Sequence, residues 1–107
     1  MLFLIVLRYI RPLAEVEEQL PAHRAYLQRH YASGHFLLSG RQEPRTGGVI
    51  LLRAADRASA ERIVVADPFI GSGVAEAELI EWAPSLRADE VPAHWVPDAG
   101  LGDPRPG

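Results

Sequence analysis

The chain has 107 residues, of which 48% are hydrophobic, and this is enough for one domain with a single apolar core. All 11 basic residues are arginine and cysteine is absent, so lysine Schiff-base chemistry, P-loop phosphate binding, disulfides and cysteine nucleophiles are excluded. The net charge is −3 and the arginines are scattered, which argues against a nucleic-acid partner.

The first seven residues form an apolar run that we interpret as a strand. The run is too short to cross a bilayer and lacks the features of a signal peptide, so we expect a cytoplasmic protein without membrane contact. Residues 2–7 are apolar on both faces of the predicted strand. This pattern is typical of a central strand that is covered on both sides.

Two helical stretches and a hairpin follow this strand. A short helix is predicted over 13–19 and a longer helix over 21–33, where Pro21 suits the first helical position and Gly34 suits the C-terminal cap. Residues 35–52 then predict two strands joined as a hairpin, with Gly40 marking either a turn or a close backbone approach.

The rest of the domain is predicted to be one more helix and one more strand. Asp56 or Ser59 can cap the helix, and residues 74–82 read as the last strand. Beyond this point proline and glycine interrupt the chain without sustained periodicity. The domain is therefore predicted to span residues 1–83, followed by a Pro/Gly-rich C-terminal tail over 84–107.

The order of predicted elements is β-α-β-β-α-β, which defines an α+β fold. The connection lengths allow a ferredoxin-like four-stranded antiparallel sheet with both helices on one face. The other sheet face would then carry apolar side chains without cover. We therefore predict a homodimer that forms through the sheet faces.

His23 and Asp67 are the candidate catalytic residues. His23 lies on the helical stripe that also contains Leu13, Val16, Leu20 and Leu27, so it is either a satisfied core histidine or a reactive group at a pocket. Asp67 is expected at the end of the second helix, where the helix dipole disfavours a carboxylate by roughly 0.3–1 kcal/mol, although Asp-Pro is also a turn signal. If the two side chains meet, Asp67 orients a neutral imidazole that can act as a general base.

Three further residues are candidates for binding a substrate. Ser39 can donate a hydrogen bond next to Gly40, whose backbone can approach a ligand closely, and Arg8 can receive an anion. A strand-end serine and a solvated arginine are the structural alternatives. His30 follows His23 by seven residues, but without a third ligand of compatible spacing we predict no metal site.

Several short motifs occur together in an order that matches a known family. They are Pro21-Ala22-His23, Gly34 with Leu37-Leu38-Ser39-Gly40, Gly47-Gly48-Val49, and Asp67-Pro68-Phe69 with Gly73-Val74. On these residues the chain resembles the YCII-related (YciI-like) family of small ferredoxin-like proteins over 1–83.

The resemblance implies a dimeric α+β barrel with a His/Asp active site, carried here by His23 and Asp67. One branch of the family resembles a dehydrochlorinase of chlorinated hydroxyhydroquinones, which implies proton-transfer or lyase chemistry without a cofactor. The chain departs from the pattern at Arg41, where many relatives have proline, and in the tail beyond Pro84.

The leading functional hypothesis is a small cofactor-independent enzyme of the lyase, dehydrochlorinase or isomerase type. Its substrate is expected to be a small organic molecule, with aromatic or enolisable compounds as the favoured class. The alternative is a non-catalytic ligand-binding or accessory domain with the same pocket. An RNA-binding domain is rejected, because residues 48–52 lack the aromatic and basic side chains that stack on bases.

Overall fold

The computed structural model describes residues 1–102 of the chain. Its helices and strands follow the predicted order over most of the domain. They are β1 (Leu2–Tyr9), α1 (Leu13–Glu18), α2 (Leu20–Ala32), β2 (Phe36–Arg41), β3 (Gly47–Arg53), α3 (Arg57–Val65), α4 (Pro68–Gly71), β4 (Ala75–Trp82), β5 (Leu86–Arg87), a 3₁₀ turn (Ala93–Trp95) and β6 (Gly100–Leu101).

The four long strands form one sheet in the order β2-β3-β1-β4. Each neighbouring pair is antiparallel, and β1 is central because it pairs with both β3 and β4. The predicted α+β, ferredoxin-like arrangement with a four-stranded antiparallel sheet is therefore confirmed. It places the carboxyl end of β1 and the start of α2 on the same side of the sheet.

The core lies between one face of the sheet and the helices. Phe3, Ile5 and Leu7 of β1 are almost fully buried because odd-numbered side chains of this strand share the face beneath the helices. Tyr26 of α2 is 1% exposed, and its hydroxyl donates a hydrogen bond to the carbonyl of Ile63 at 2.6 Å. This bond connects the long helix to α3 and fixes the helix that carries His23.

The helix ends agree with the predicted signals, with one shift. α2 begins at Leu20, so Pro21 is its second residue rather than its first. The missing N–H has no energetic cost at either position, because amides of the first turn have no intrahelical acceptor. Gly34 ends the helix with a φ of +83°, and Asp56 rather than Ser59 caps α3 by accepting a hydrogen bond from the Ser59 amide at 2.7 Å.

Two local features differ from the sequence prediction. Gly40 lies inside β2, where it pairs with Val49, so the hairpin connection begins after Arg41. The four-residue helix α4 was not predicted, because Asp67 and Pro68 read as a turn. This short helix turns out to define the surroundings of Asp67.

The second face of the sheet carries many apolar side chains. Leu38, Trp82 and Ile80 are 60%, 49% and 39% exposed, and Leu4 and Leu51 between them are partly exposed. Within this single chain, β1 is covered on the helical face only. The prediction that it is covered on both sides is therefore met for one of the two faces. Pairing of two such faces remains a prediction.

The segment after residue 83 is more structured than a plain tail. β5 and β6 pair in parallel, and Val96 is 8% exposed. Trp95 and Val96 border a cavity of ≈ 330 Å³ together with Leu2 and Trp82, so this segment lies against the end of the sheet. The tail prediction for 103–107 lies outside the described residues.

Across residues 1–102, no helix has the length and apolar character needed to cross a membrane.

Candidate active site

His23 lies on the buried side of α2 and is only 8% exposed. Its ring nitrogen Nδ1 lies 2.8 Å from Oδ1 of Asp67, a residue 44 positions later in the chain. The predicted convergence of the start of the long helix with the loop after α3 is therefore present in the structure. Both partners are shielded from bulk water, since Asp67 is 2% exposed.

Asp67 occupies a different electrostatic position from the one predicted. α3 ends at Val65, and Asp67 lies in extended backbone as the N-cap of α4. Its Oδ1 accepts a hydrogen bond from the amide of Phe69 at 2.9 Å. The hydrogen bond from the Phe69 amide thus offsets the unfavourable effect of the α3 dipole on Asp67. This explains how the carboxylate is accommodated without an arginine partner.

Phe69 fixes the plane of the imidazole. Its ring is parallel to that of His23, with 3.8 Å between the centroids and an interplanar angle of 3°. Phe69 is 2% exposed, so the stacked pair is part of the core. The same residue therefore supplies an amide to Asp67 and an aromatic face to His23.

Tyr26 completes the buried surroundings of the pair. Burial, reinforced by the negative charge of Asp67, raises the pKa of the Tyr26 hydroxyl far above its ordinary value. The hydroxyl therefore stays protonated and remains a donor to the Ile63 carbonyl. Tyr26 thus acts as a structural donor beside the pair and is not available as a second base.

The hydrogen bonds of Asp67 determine which nitrogen of His23 carries the proton. An ionised carboxylate can only accept, so Nδ1 must carry a hydrogen and donate it to Oδ1. Within residues 1–102, Nε2 of His23 has no hydrogen-bond partner, and His23 borders a cleft. The neutral ring then presents an unprotonated Nε2, which is the form required of a general base.

The cleft has a volume of ≈ 510 Å³ and lies between α2 and the β2–β3 hairpin. Ser39 and Gly40 border it, and their role in binding a substrate stays a prediction. The Ser39 hydroxyl is 2.6 Å from the hydroxyl of Tyr31, so α2 also positions this side chain. His23, Ser39 and Gly40 are thus brought to one opening.

Arg8 does not join this group. It follows Leu7, which faces the helices, so the alternation of the strand directs Arg8 to the opposite sheet face. There it forms an exposed ion pair with Glu76 of β4. The expectation that Arg8 contributes to the same site is therefore not met. The alternation of side chains along β1 already predicts that Arg8 and Leu7 lie on opposite faces of the sheet.

Other charged residues border the cleft instead. Arg24, Arg41 and Arg45 supply cations and Glu17 supplies one carboxylate. In the sequence, Arg41 stood out only as a departure from a family pattern, and no role was predicted for Arg24, Arg45 or Phe69. Exposed arginines resemble ordinary surface residues, so the sequence had no signal that would separate them.

A metal site requires several ligating side chains close together. Across residues 1–102, no three histidine, aspartate or glutamate side chains lie close enough together to hold a metal ion.

Comparison with known proteins connects this geometry with a family. The model of the YCII-related domain matches residues 1–83, which include β1 through β4 and all the residues of the His23 site. The chain belongs to the YCII-related family. The resemblance inferred from the short motifs is thereby confirmed. No curated protein matches the chain significantly.

A solved structure of similar fold comes from Burkholderia phenoliruptrix AC1100. It is 5-chloro-2-hydroxyhydroquinone dehydrochlorinase (TftG) in complex with 2,5-dihydroxybenzoquinone. The two chains are 26% identical with a TM-score of 0.67, and the match covers 78% of this chain and 95% of TftG. The YCII-related chain described here therefore shares the α+β architecture of an enzyme that binds a small quinone.

Proposed function

We propose that this YCII-related protein is a cofactor-independent enzyme in which His23 removes a proton from a small organic substrate. The observation that carries the proposal is the buried 2.8 Å contact between His23 Nδ1 and Asp67 Oδ1 beside an open cleft. Asp67 holds the ring in the tautomer that leaves Nε2 basic, and it stabilises the imidazolium that forms after proton transfer.

The reaction type follows from what one base can accomplish without a redox group. Nε2 takes a proton from a carbon or hydroxyl of the substrate, and the released electron pair moves into the substrate. The imidazolium then returns the proton to a ring carbon, which gives the keto tautomer and restores the base; where this tautomer is the product, the reaction is an isomerisation. Where that carbon carries chlorine, removal of a second proton forms a new double bond and expels chloride, which is a lyase reaction. The likeness to TftG favours the lyase reaction and an aromatic substrate.

The size of the cleft is consistent with such a substrate. Its ≈ 510 Å³ falls within the range of about 300–1,000 Å³ that is typical of small-ligand sites. Apolar side chains of the sheet and of α2 border it alongside Ser39 and the charged residues. A single aromatic ring with oxygen substituents fits this mixture of surfaces.

The test is chloride release from 5-chloro-2-hydroxyhydroquinone by the wild type and by His23→Asn. We expect turnover by the wild type and a decrease of about 10²–10⁴-fold in the variant, which is the usual contribution of a general base. Arg62→Gln, a change in α3 away from the cleft, is the matched control. Equal rates in the wild type and His23→Asn would contradict the role of His23.

The same experiment separates enzyme from binding module. If the wild type binds the substrate but releases no chloride, the chain is a non-catalytic ligand-binding domain with the same cleft. A binding module requires only affinity, whereas a base must also be unprotonated at working pH.

We also propose that the protein is a homodimer formed through the exposed sheet face. Leu38, Ile80 and Trp82 support this proposal, because contiguous exposed apolar side chains of this kind mark interaction surfaces. The cytoplasmic location expected from the sequence stays a prediction.

A further inference from the structure

The charges around the cleft are unbalanced. Three arginines border it, Arg24, Arg41 and Arg45, against one carboxylate, Glu17. His23 is neutral when it acts as a base, and the charge of Asp67 lies behind the ring in the core. An entering molecule therefore meets a surface with an excess of positive charge, even though the whole chain has a net charge of −3.

Two of the three arginines already have a partner within the protein. Arg45 forms an ion pair with Glu17 at 3.2 Å, and its side chain is 27% exposed. Arg41 pairs with Glu43 at 2.9 Å on the exposed rim. Both charges are thus largely compensated before a substrate arrives.

Arg24 is different. Within residues 1–102 its side chain has neither an ion pair nor a hydrogen bond, and it follows His23 directly on α2. Leu20 and Leu27 lie one helical turn to either side of Arg24, and both also border the cleft. Arg24 is therefore an uncompensated cation on the cleft-facing side of the helix that carries the base.

We infer that the substrate is an organic anion and that Arg24 binds its carboxylate or ionised hydroxyl group. This inference rests on the proposed function, because it takes the cleft beside His23 as the substrate site. A guanidinium can hold two oxygens of such a group through parallel hydrogen bonds. Binding at Arg24 would place the anionic end of the substrate one residue along α2 from the base.

The same charge would assist proton removal. Taking a proton from an anion adds negative charge to the substrate, and a fixed cation in a partly enclosed site stabilises that charge as it develops. A neutral analogue lacks the ionised group, so it would lose the contact with Arg24.

The experiment measures binding rather than turnover. The probes are 2,5-dihydroxybenzoquinone, which is ionised at neutral pH, and its uncharged dimethyl ether, 2,5-dimethoxybenzoquinone. Each is titrated calorimetrically into the wild type, Arg24→Gln and Arg24→Lys. Arg29→Gln is the control, because Arg29 lies on the same helix but does not border the cleft.

We expect the wild type and Arg29→Gln to bind the anion more tightly than the neutral probe. Arg24→Gln should lose about 10-fold in affinity for the anion and little for the neutral probe, which is the size of one hydrogen-bonded charge contact. Arg24→Lys should recover part of the loss. Raising the salt concentration should weaken anion binding by the wild type more than by Arg24→Gln.

Two results would overturn the inference. One is equal anion affinity of the wild type and Arg24→Gln, and the other is no binding of the anion by the wild type. Because His23→Asn keeps Arg24, it should still bind the anion more tightly than the neutral probe even if it releases no chloride. Chloride release therefore tests the role of His23 as a base, whereas anion affinity tests the contact with Arg24.

Discussion

At the scale of single residues, Asp67 illustrates how a carboxylate can be held in a protein core without a cation. It accepts one hydrogen bond from the Phe69 amide and one from His23, and both involve Oδ1. An acceptor that receives two donors fixes the orientation of both partners. The contact between the imidazole and the carboxylate is thus formed in the free protein.

The first prediction concerns this carboxylate. Asp67→Asn keeps the shape of the side chain but removes its charge, and its amide can also donate to Nδ1, which favours the wrong tautomer. We expect turnover to fall less than in His23→Asn, while the fold is retained. Steady-state kinetics with circular dichroism as the control for folding checks this, and unchanged turnover would contradict the orienting role.

The second prediction concerns His30, whose surroundings make stability depend on pH. Burial, followed by the charges of His35 and Arg29, lowers the pKa of His30 below its ordinary 6.5. The unfolded chain therefore binds a proton more readily, so the fold loses stability as the pH falls through about 6.5. His30→Phe keeps a ring against Tyr26 and Phe36 but cannot be protonated.

Urea denaturation at about pH 7.5 and pH 5.5 measures this effect. The free energy of unfolding of the wild type should decrease more between these pH values than that of His30→Phe. An equal decrease in the two proteins would show that His30 does not carry the pH dependence.

At the scale of elements, the short helix α4 connects stability with the site. Phe69 is buried in the core and stacks on His23. Phe69→Ala should lower the free energy of unfolding by about 3–5 kcal/mol, because it leaves a cavity. Phe69→Leu fills most of that volume but removes the parallel ring, so it should cost less stability and still reduce turnover.

Chemical denaturation and steady-state kinetics on the same two variants separate the effects. If Phe69→Leu retains full turnover, the stacked ring is not needed to hold His23.

The β2–β3 hairpin provides a second test at this scale. A methyl group at Gly47 would collide with the backbone of Leu7, whereas a methyl group at Gly40 meets no atom within 4 Å. Gly47→Ala should therefore lower the free energy of unfolding by about 1–3 kcal/mol or more, since backbone cannot move aside easily. Gly40→Ala is the matched control and should change it by less than about 1 kcal/mol.

Thermal and urea denaturation compare the two glycine variants. Equal stability of Gly47→Ala and Gly40→Ala would contradict the close approach of β3 to β1.

The sequence predicted the elements better than it predicted their junctions. Periodicity identified β1 and the burial of Val16 and His23, and the glycine at position 34 identified the end of α2, because these signals are local. Leu13 of the predicted stripe lies in α1 and is 41% exposed. The helix α4 was missed since four residues give no periodicity. His23 was found because a polar residue on an apolar stripe is unusual, and Asp67 because a carboxylate was expected at an unfavourable helix end. Arg24 and Phe69 gain significance only from the tertiary contacts around the cleft.

At the scale of the whole molecule, the exposed sheet face predicts self-association. Leu38 is 60% exposed on the edge strand β2, where it lies next to Leu51 on the apolar sheet face. Leu38→Glu should therefore shift a sheet-to-sheet dimer to monomer, because it would bury an unpaired charge. Val65→Glu is the control, since Val65 is 65% exposed on α3, which packs on the other sheet face.

Sedimentation velocity at micromolar concentration measures the oligomeric state of the three proteins. The wild type and Val65→Glu should sediment as dimers and Leu38→Glu as a monomer. A monomeric wild type would contradict the prediction of a sheet-to-sheet dimer.

The ¹⁵N NMR spectrum of the His23 ring at neutral pH directly measures which ring nitrogen carries the proton. We predict a protonated Nδ1, bonded to Asp67, and an unprotonated Nε2 facing the cleft. A spectrum with the proton on Nε2 and a bare Nδ1 would contradict this prediction, because the nitrogen that faces the substrate could then no longer accept a proton.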